Sequence, residues 1–356
     1  MDRNAGVLVA GSTSSVSPEK MKSRKAQAKY FFVFMGALFF VVTFIGFFHS
    51  YRTLASGTLI IHWITHIHAS AMTGWLVLYF MQAFFAATGN LKIHRRLGPV
   101  SVVLSIIVFV FMGIVSIRSI IVYHPPQGSF AFLNLLIDFF AMLCFGLFVT
   151  WGMLLRKKNP AAHKRLLTIV TAMVLLAAVD RSRYTYSLPT LALDPPAISF
   201  VYLDILLVPI FVYDLIKLKK IHRYTLLGTA IVISLQIVTS IIAGSDGWYR
   251  WSYKVTAPIM EKVKEIKLTD RQIAPLLGVY ESDLGKLTIG QNSDSIFVQF
   301  NDGQKQQLGA VSESELFLKD EMFTFHFTLS AQRDVVAAEC RQIGRIYKMK
   351  KVRGYR

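Results

Sequence analysis

Residues 59–98, LIIHWITHIHASAMTGWLVLYFMQAFFAATGNLKIHRRLG, decide how this chain is built. From Leu59 to Thr88 there is no Asp, Glu, Lys or Arg, so the run is long and apolar enough to cross a bilayer as a helix. His62, His66 and His68 nevertheless lie in its first half, where an unpaired polar group is expensive. At about 100° per residue His62 and His66 share one face. His68 points the other way and heads a stripe of Met72, Trp75, Tyr79 and Gln82. Polar groups on two sides predict a helix surrounded by protein. Gly89-Asn90 ends it, and His94-Arg95-Arg96-Leu97-Gly98 opens the next helix.

The rest of the chain fits that start. It has 356 residues, 53% hydrophobic and 13% aromatic, with a mean hydropathy of +0.46. Those values belong to a multi-pass membrane protein rather than a soluble domain. A net charge of +18 would point to nucleic acid in a soluble chain. Here the basic residues cluster between apolar spans, so they act as topology signals and contacts to anionic headgroups. No basic-and-aromatic pattern for nucleic acid remains. Cys144 lies in a span and Cys340 near the C-terminus; their environments are too different for pairing, and they define no redox compartment.

Seven spans are expected, at about 30–49, 59–88, 97–121, 130–155, 164–182, 197–216 and 224–244. Residues 1–29, small and polar and then basic from Lys20, are expected to form a disordered cytoplasmic tail. The first span is long, strongly aromatic and lacks a small-residue cleavage site, so it is a retained helix rather than a secretory signal. Lys92, Arg95 and Arg96, then Arg156, Lys157, Lys158, Lys164 and Arg165, then Lys217, Lys219, Lys220 and Arg223 fill alternate loops. The opposite loops hold only Arg52, Arg181 and Arg183, with Arg118 in the last turn of its span. The positive-inside rule then puts the N-terminus in the cytoplasm and the C-terminus outside, in a cell inner (plasma) membrane.

A weak internal repeat accompanies this layout. Ile93-His94-Arg95-Arg96-Leu97, Ala162-His163-Lys164-Arg165-Leu166 and Ile221-His222-Arg223 each open an outward-running helix. Gln82 precedes His94 by twelve residues, as Trp151 precedes His163. Three helical hairpins after a leading helix are one origin for the pattern.

After Gly244 the composition changes. Trp248, Tyr249, Trp251 and Tyr253 form an interfacial belt within a polar linker over 245–267. From 268 to 356 short alternating runs follow, with turn signals at Asn292-Ser293 and Asn301-Asp302-Gly303. Seven or eight strands in so short a stretch predict a small antiparallel barrel or curved sheet outside the cytoplasm. The segment from LTDRQIAPLLGVYES to EMFTFHF resembles the small lipocalin-like β-barrel domain that follows penicillin-binding-type serine hydrolases. That resemblance implies an accessory fold without catalysis, and no S-x-x-K hydrolase motif accompanies it.

The membrane half is similar to a group of uncharacterised bacterial multi-pass proteins with an HxH…W…Q…LHRRLG…HKRL pattern. Here those positions are His66, His68, Trp75, Gln82, His94 to Gly98 and His163 to Leu166, with Ile93 in place of the leucine. That resemblance implies architecture and little else.

The polar residues set the functional expectations. At 1.5 Å per residue His66 lies roughly 10 to 12 Å below the outer end of its helix, and Asp138 and Asp204 lie about as deep. Asn134 is one turn above Asp138, and Asp180 sits beside Arg181 near the outer end of the fifth span. His62, His66, His68, Asp138 and Asp204 are thus expected in one outer layer. Histidine and carboxylate suit a divalent metal (zinc or iron) or a proton relay, and equally a network in which they satisfy one another. Asn134, Trp75, Gln82, Asp180 and Arg181 are candidates to line its cavity, although a stripe such as His68 to Gln82 is more often a packed interface.

A second arrangement is haem b held edge-on between His94 and His163, with neighbouring basic residues meeting the propionates. A third is a metal-dependent intramembrane lipid hydrolase using the outer site. The β domain would recognise an extracytoplasmic partner or an amphiphile. No P-loop, dinucleotide glycine motif or nucleophile elbow is present. Nothing in these residues decides whether the chain is an enzyme.

Overall fold

The computed structural model describes residues 18–353 except 124, 126–127, 190, 261–263, 293–294, 320–321 and 343–344; of 18–28, 123 and 353 it describes the backbone alone. Helices α1 (Pro18–Ala55), α2 (Trp63–Thr88), α3 (Leu91–Tyr123) and α4 (Phe130–Leu155) come first. They are followed by α5 (Pro160–Met173), α6 (Leu176–Thr185), α7 (Ala197–Asp204), α8 (Val208–Leu218) and α9 (Arg223–Ala243). Six of the resulting segments are long and apolar enough to cross a membrane, and seven if the bent pair α5–α6 is one span. Phe34, Phe44, Val103, Ile106, Leu154, Ile237 and Ile241 stay exposed, as lipid-facing residues would.

Two breaks have local causes. Pro209 lacks the N–H for a bond to Ile205, and Ile205–Leu207 tightens into a 3-10 turn between α7 and α8. The α5–α6 pair bends by 40° at Val174–Leu175. The caps are conventional. Gly89 ends α2 at φ 84°, Asn90 accepts from the Ile93 N–H at 3.4 Å, and Asn159 accepts from Ala162 before Pro160. Of the expected disordered tail, residues 1–17 lie outside the described residues. From Pro18 onward the backbone is already helical, which corrects that boundary.

Helix α5 is the centre of the bundle. Leu166, Ile169, Val170, Ala172 and Met173 are fully buried among Phe39, Phe148 and Leu203. Its continuation α6 meets α1 backbone to backbone, since a Cβ on Gly46 would lie 2.3 Å from the Ala178 carbonyl oxygen. Any side chain larger than hydrogen at Gly46 would force these helices apart.

The expected polar linker contains a helix, α10 (Asp246–Thr256). Trp248 fastens it to the bundle by donating its indole N–H to the Phe132 carbonyl at 2.8 Å, while Trp251 remains exposed at the level an interfacial belt would occupy.

A short helix, α11 (Asp270–Ile273), leads into strands β1 (Gly278–Ser282), β2 (Gly285–Asn292), β3 (Ser295–Phe300), β4 (Lys305–Ser312), β5 (Glu315–Leu318), β6 (Phe323–Leu329), β7 (Val335–Gln342) and β8 (Arg345–Arg353). Each pairs antiparallel with the next, and β8 returns to β1, so the alternatives resolve to a closed barrel. Tyr280, Leu287, Ile289, Val298, Leu316, Phe325 and Cys340 fill its interior. A capping box between Thr269 and Gln272 starts α11, and the following Leu276 enters the barrel core, its carbonyl accepting from the Tyr280 hydroxyl at 2.7 Å.

The turn expected at Asn301 is present. Asn301 adopts φ 51° and accepts from the Lys286 N–H at 2.9 Å. The Asn292-Ser293 turn falls partly outside the described residues.

The barrel is seated on one end of the bundle. The Ile346 N–H donates to the Thr58 carbonyl at 2.8 Å, Leu59 bridges Arg345, and Met322 packs with Trp248 and Phe132. A connection between α1 and α2 therefore holds the β7–β8 hairpin.

Burial in the barrel core sets its response to alkali. It pushes the Cys340 thiol up to about 12 and also raises the Tyr280 phenol. The unfolded chain releases these protons at lower pH than the folded one, so their stabilising effect is complete below about pH 9 and falls as pH rises. The barrel should lose about 1.4 kcal/mol per pH unit from Cys340 alone between about pH 9 and 12. Denaturant titrations followed by circular dichroism should show Cys340→Ala with a flatter alkaline limb than the parent.

Candidate functional site

The histidines expected in one layer separate. His62 caps α2, its Nδ1 accepting from the Ile64 N–H at 3.3 Å, and His66 lies exposed one turn on. His68 turns inward: its Nδ1 is buried without a hydrogen-bond partner, and its ring neighbours the Phe111 carbonyl and the Arg181 side chain.

The carboxylates also separate. Asp180 accepts from Arg183 at 3.1 Å and from the Ser199 hydroxyl. Asp204 accepts from the Gln236 amide at 2.9 Å, joining α7 to α9. Asp138 faces Ser116 of α3 at 2.6 Å, with the Arg181 guanidinium in electrostatic reach. Asn134 is exposed rather than directed at Asp138 through any hydrogen bond among the described residues. No three His, Cys, Asp or Glu side chains among the described residues come together to hold a metal ion. The separation has a simple cause: equal depth on three helices does not put three faces toward one point.

The stripe on α2 is a hydrogen-bonded interface. Trp75 donates its indole N–H to Thr171 at 3.3 Å, Tyr79 meets Thr168 at 2.7 Å, and Gln82 donates to Ser101 at 3.1 Å. Each of these hydroxyls in turn donates to the carbonyl four residues back, at Leu167, Lys164 and Leu97. Each hydroxyl has one proton to give, so α2 supplies the donors and α3 and α5 supply the acceptors. Trp75 and Gln82 therefore staple helices, although the Gln82 Oε1 is buried without a partner.

Ser116 repeats that pattern with a different neighbour. Its hydroxyl reaches the Met112 carbonyl at 2.8 Å and the Asp138 carboxyl at 2.6 Å. It has one proton for these two acceptors. Either Ser116 donates to an ionised Asp138, or it donates to Met112 and Asp138 must itself carry a proton to make the bond. Asp180 and Asp214 are held differently, each by an arginine and by a hydroxyl with no competing carbonyl.

At the end of the bundle away from the barrel, His94 and His163 do share a role. The His94 Nδ1 lies 3.2 Å from the Gln82 carbonyl and the His163 Nδ1 2.9 Å from the Gly152 carbonyl. The two rings are close enough to influence each other electrostatically. His222 does not follow them: it caps α9, its Nδ1 accepting from Tyr224 at 3.2 Å. Burial and the nearby Arg165 hold its imidazole below the usual range.

Sequence reasoning counted Arg165 as a loop charge and passed over Asp214. Both are buried and paired; the Arg165 guanidinium grips Asp214, which also accepts from the His222 N–H at 3.0 Å and from Thr225. The available signal was an aspartate in the last apolar turn before a Lys-rich loop. The chain matches no family model, no curated protein and no solved structure.

The buried pair makes a sharp test of what joins α5, α8 and α9. Arg165→Ala leaves a carboxylate buried without its cation and should destabilise the protein by about 3–5 kcal/mol. Arg165→Met combined with Asp214→Leu should recover most of that loss in thermal melts of detergent-purified protein.

Proposed function

We propose that this protein is an integral membrane binding or sensing protein whose barrel-side half contains a proton-responsive group, Asp138 with Ser116. The observation that carries this reading is the single Ser116 proton shared between the Met112 carbonyl and Asp138. The two arrangements of that proton differ by one protonation of Asp138. Arg181 favours the ionised arrangement, and the apolar surroundings favour the neutral one. His68 brings a second titratable group near Arg181. A change of proton on Asp138 would alter the charge facing α2, α3 and α6 together. The metal-dependent readings, including the lipid hydrolase, are left without a ligand set among the described residues.

A second reading has its own observation. His94 and His163 both anchor Nδ1 on a backbone carbonyl, with no hydrogen bond to either Nε2 among the described residues. That arrangement fixes the tautomer and would suit two axial ligands of haem b, which would supply one-electron redox chemistry. An absorption spectrum of the purified protein separates the readings: a Soret band lost in His94→Ala supports haem, and its absence leaves the bonds as helix staples.

The orientation belongs to the same proposal. Lys92, Arg95, Arg96, Lys157, Lys158, Lys217, Lys219 and Lys220 lie in loops and helix ends away from the barrel, which supports a cytoplasmic location for that end. Arg165, being buried and paired, contributes little to this count. The barrel would then face outward from an inner (plasma) membrane, positioned to meet an envelope partner or amphiphile.

Two measurements test these statements. Infrared difference spectra of the full protein against pH should show a protonated-carboxyl band that titrates and that Asp138→Asn removes. Ser116→Ala should shift that titration toward the neutral carboxyl; an unchanged titration would sink the shared-proton mechanism. Separately, a phosphatase fused after Arg356 should be active outside the cytoplasm, and a fluorescent protein fused there should stay dark. The reverse pair of results overturns the orientation.

A further inference from the structure

Between Leu97 and Tyr123, Arg118 is the one charged side chain of α3. It lies about 7 to 8 Å below the barrel-side end of that helix, counted back along the axis from Tyr123. Ile120, on the next turn of the chain, packs in one cluster with Trp248 and Tyr249 of α10, and Trp251 of the same helix is exposed. Those aromatic rings mark the depth of Arg118 as the level where headgroups meet hydrocarbon. Arg118 has no hydrogen bond, ion pair or ring contact among the described residues. A guanidinium at that depth is costly unless something outside the chain neutralises it.

Arg118 also lines a groove of about 480 Å³ whose other lining residues carry no charge. Val110, Ile114, Ile117 and Ile121 line it too, and their spacing puts them with Arg118 on one face of α3. Val110, Ile114 and Ile117 stay exposed, in the surface that faces lipid. Met142 of α4 forms part of the wall. Gly113 keeps the groove open beside it, since a Cβ there would lie 3.2 Å from the Met142 methyl. From Val110 to Ile121 the groove follows α3 for about 16 Å. One leaflet's hydrocarbon is about 15 Å thick, so the length suits a single acyl chain.

We propose that this groove holds one acyl chain of an anionic phospholipid in the barrel-side leaflet, with its phosphate bound by Arg118. The planar guanidinium presents paired N–H donors that match phosphate oxygens. An anionic headgroup supplies the counterion that the described residues do not, whereas a zwitterionic headgroup brings a cation of its own. The site goes beyond the proton-responsive reading and holds whether or not Asp138 titrates.

The test uses the full chain, delipidated in neutral detergent and reloaded with phosphatidylglycerol or phosphatidylcholine of identical chains. Native mass spectrometry should show phosphatidylglycerol retained with about fivefold preference. Arg118→Gln should abolish that preference. Arg52→Gln, which removes an exposed cation in the last turn of α1 at the same end of the bundle, should keep it. A diazirine in the acyl chain of the added phosphatidylglycerol should label α3 between Val110 and Ile117. Ile114→Trp fills the groove and should reduce that labelling about fivefold, together with the retention of both lipids.

Circular dichroism checks the fold of each variant, and Arg118→Gln and Ile114→Trp each read the site without the other. Equal retention of the two lipids overturns the site, as does a preference that survives Arg118→Gln or is lost equally in Arg52→Gln. Labelling confined to other helices overturns the groove. A stable dimer that occludes α3 and retains no lipid overturns it as well, and assigns this face to a second copy of the chain.

Discussion

Inside a bilayer each hydroxyl has one proton to give and no water to make up a shortfall, and this bundle is arranged around that constraint. Along α2, Trp75, Tyr79 and Gln82 donate to hydroxyls on α5 and α3 that have already given their own protons to carbonyls of their own helices. Each of these three bonds joins one donor to one acceptor, and of the three α2 side chains only Gln82 keeps an atom, its Oε1, without a partner among the described residues. The result is a rigid contact between α2 and the central helix α5, reinforced by the apolar packing of Phe145 and Ile169. Where the same pattern reaches Ser116 and Asp138, the numbers match only if the carboxyl carries a proton or the serine turns away from its carbonyl. The candidate site is therefore a place within the bundle where this motif is left with two solutions.

The ends of the bundle are held by different chemistry. Away from the barrel, Arg165 and Asp214 form a buried pair whose remaining acceptor capacity is filled by His222 N–H and Thr225. Such a pair adds little net stability over apolar residues but is costly to break, so it specifies how α5, α8 and α9 meet. At the barrel end the contacts are backbone bonds to Thr58 and an indole bond to Phe132. The barrel is consequently attached through the α1–α2 connection and the start of α4, at the same end of the bundle as Asp138.

Much of this architecture is legible in the chain. Charge-free runs of twenty or more residues make spans because backbone groups in hydrocarbon must bond within a helix. Gly89, Asn90, Asn159 and Pro160 mark helix ends through local chemistry that needs no tertiary context. Period-two alternation with Asn-containing turns makes strands, and an even series of short strands closes on itself. Even the spacing from Gln82 to His94 carries meaning, since a histidine one turn into the next helix can reach back to the carbonyls of the last.

What the chain could not disclose is azimuth and partnership. His66, Asp138 and Asp204 lie at similar depths, but depth is one coordinate and the rotation of each helix, set by packing, sends them to different neighbours. His62 and His222 look like site residues and serve as caps, because a helix start leaves N–H groups that any nearby acceptor will take. Arg165 looks like a loop charge and is instead buried against Asp214, which also accepts from the His222 N–H and Thr225. The sequence by itself determined the spans, their ends and the β domain, all of which follow from local hydrophobicity and backbone bonding. Only the tertiary structure decided that Ser116 meets Asp138 and that the β7–β8 hairpin meets the connection between α1 and α2, because those meetings depend on how separate helices and a barrel hairpin pack, and no local rule encodes that.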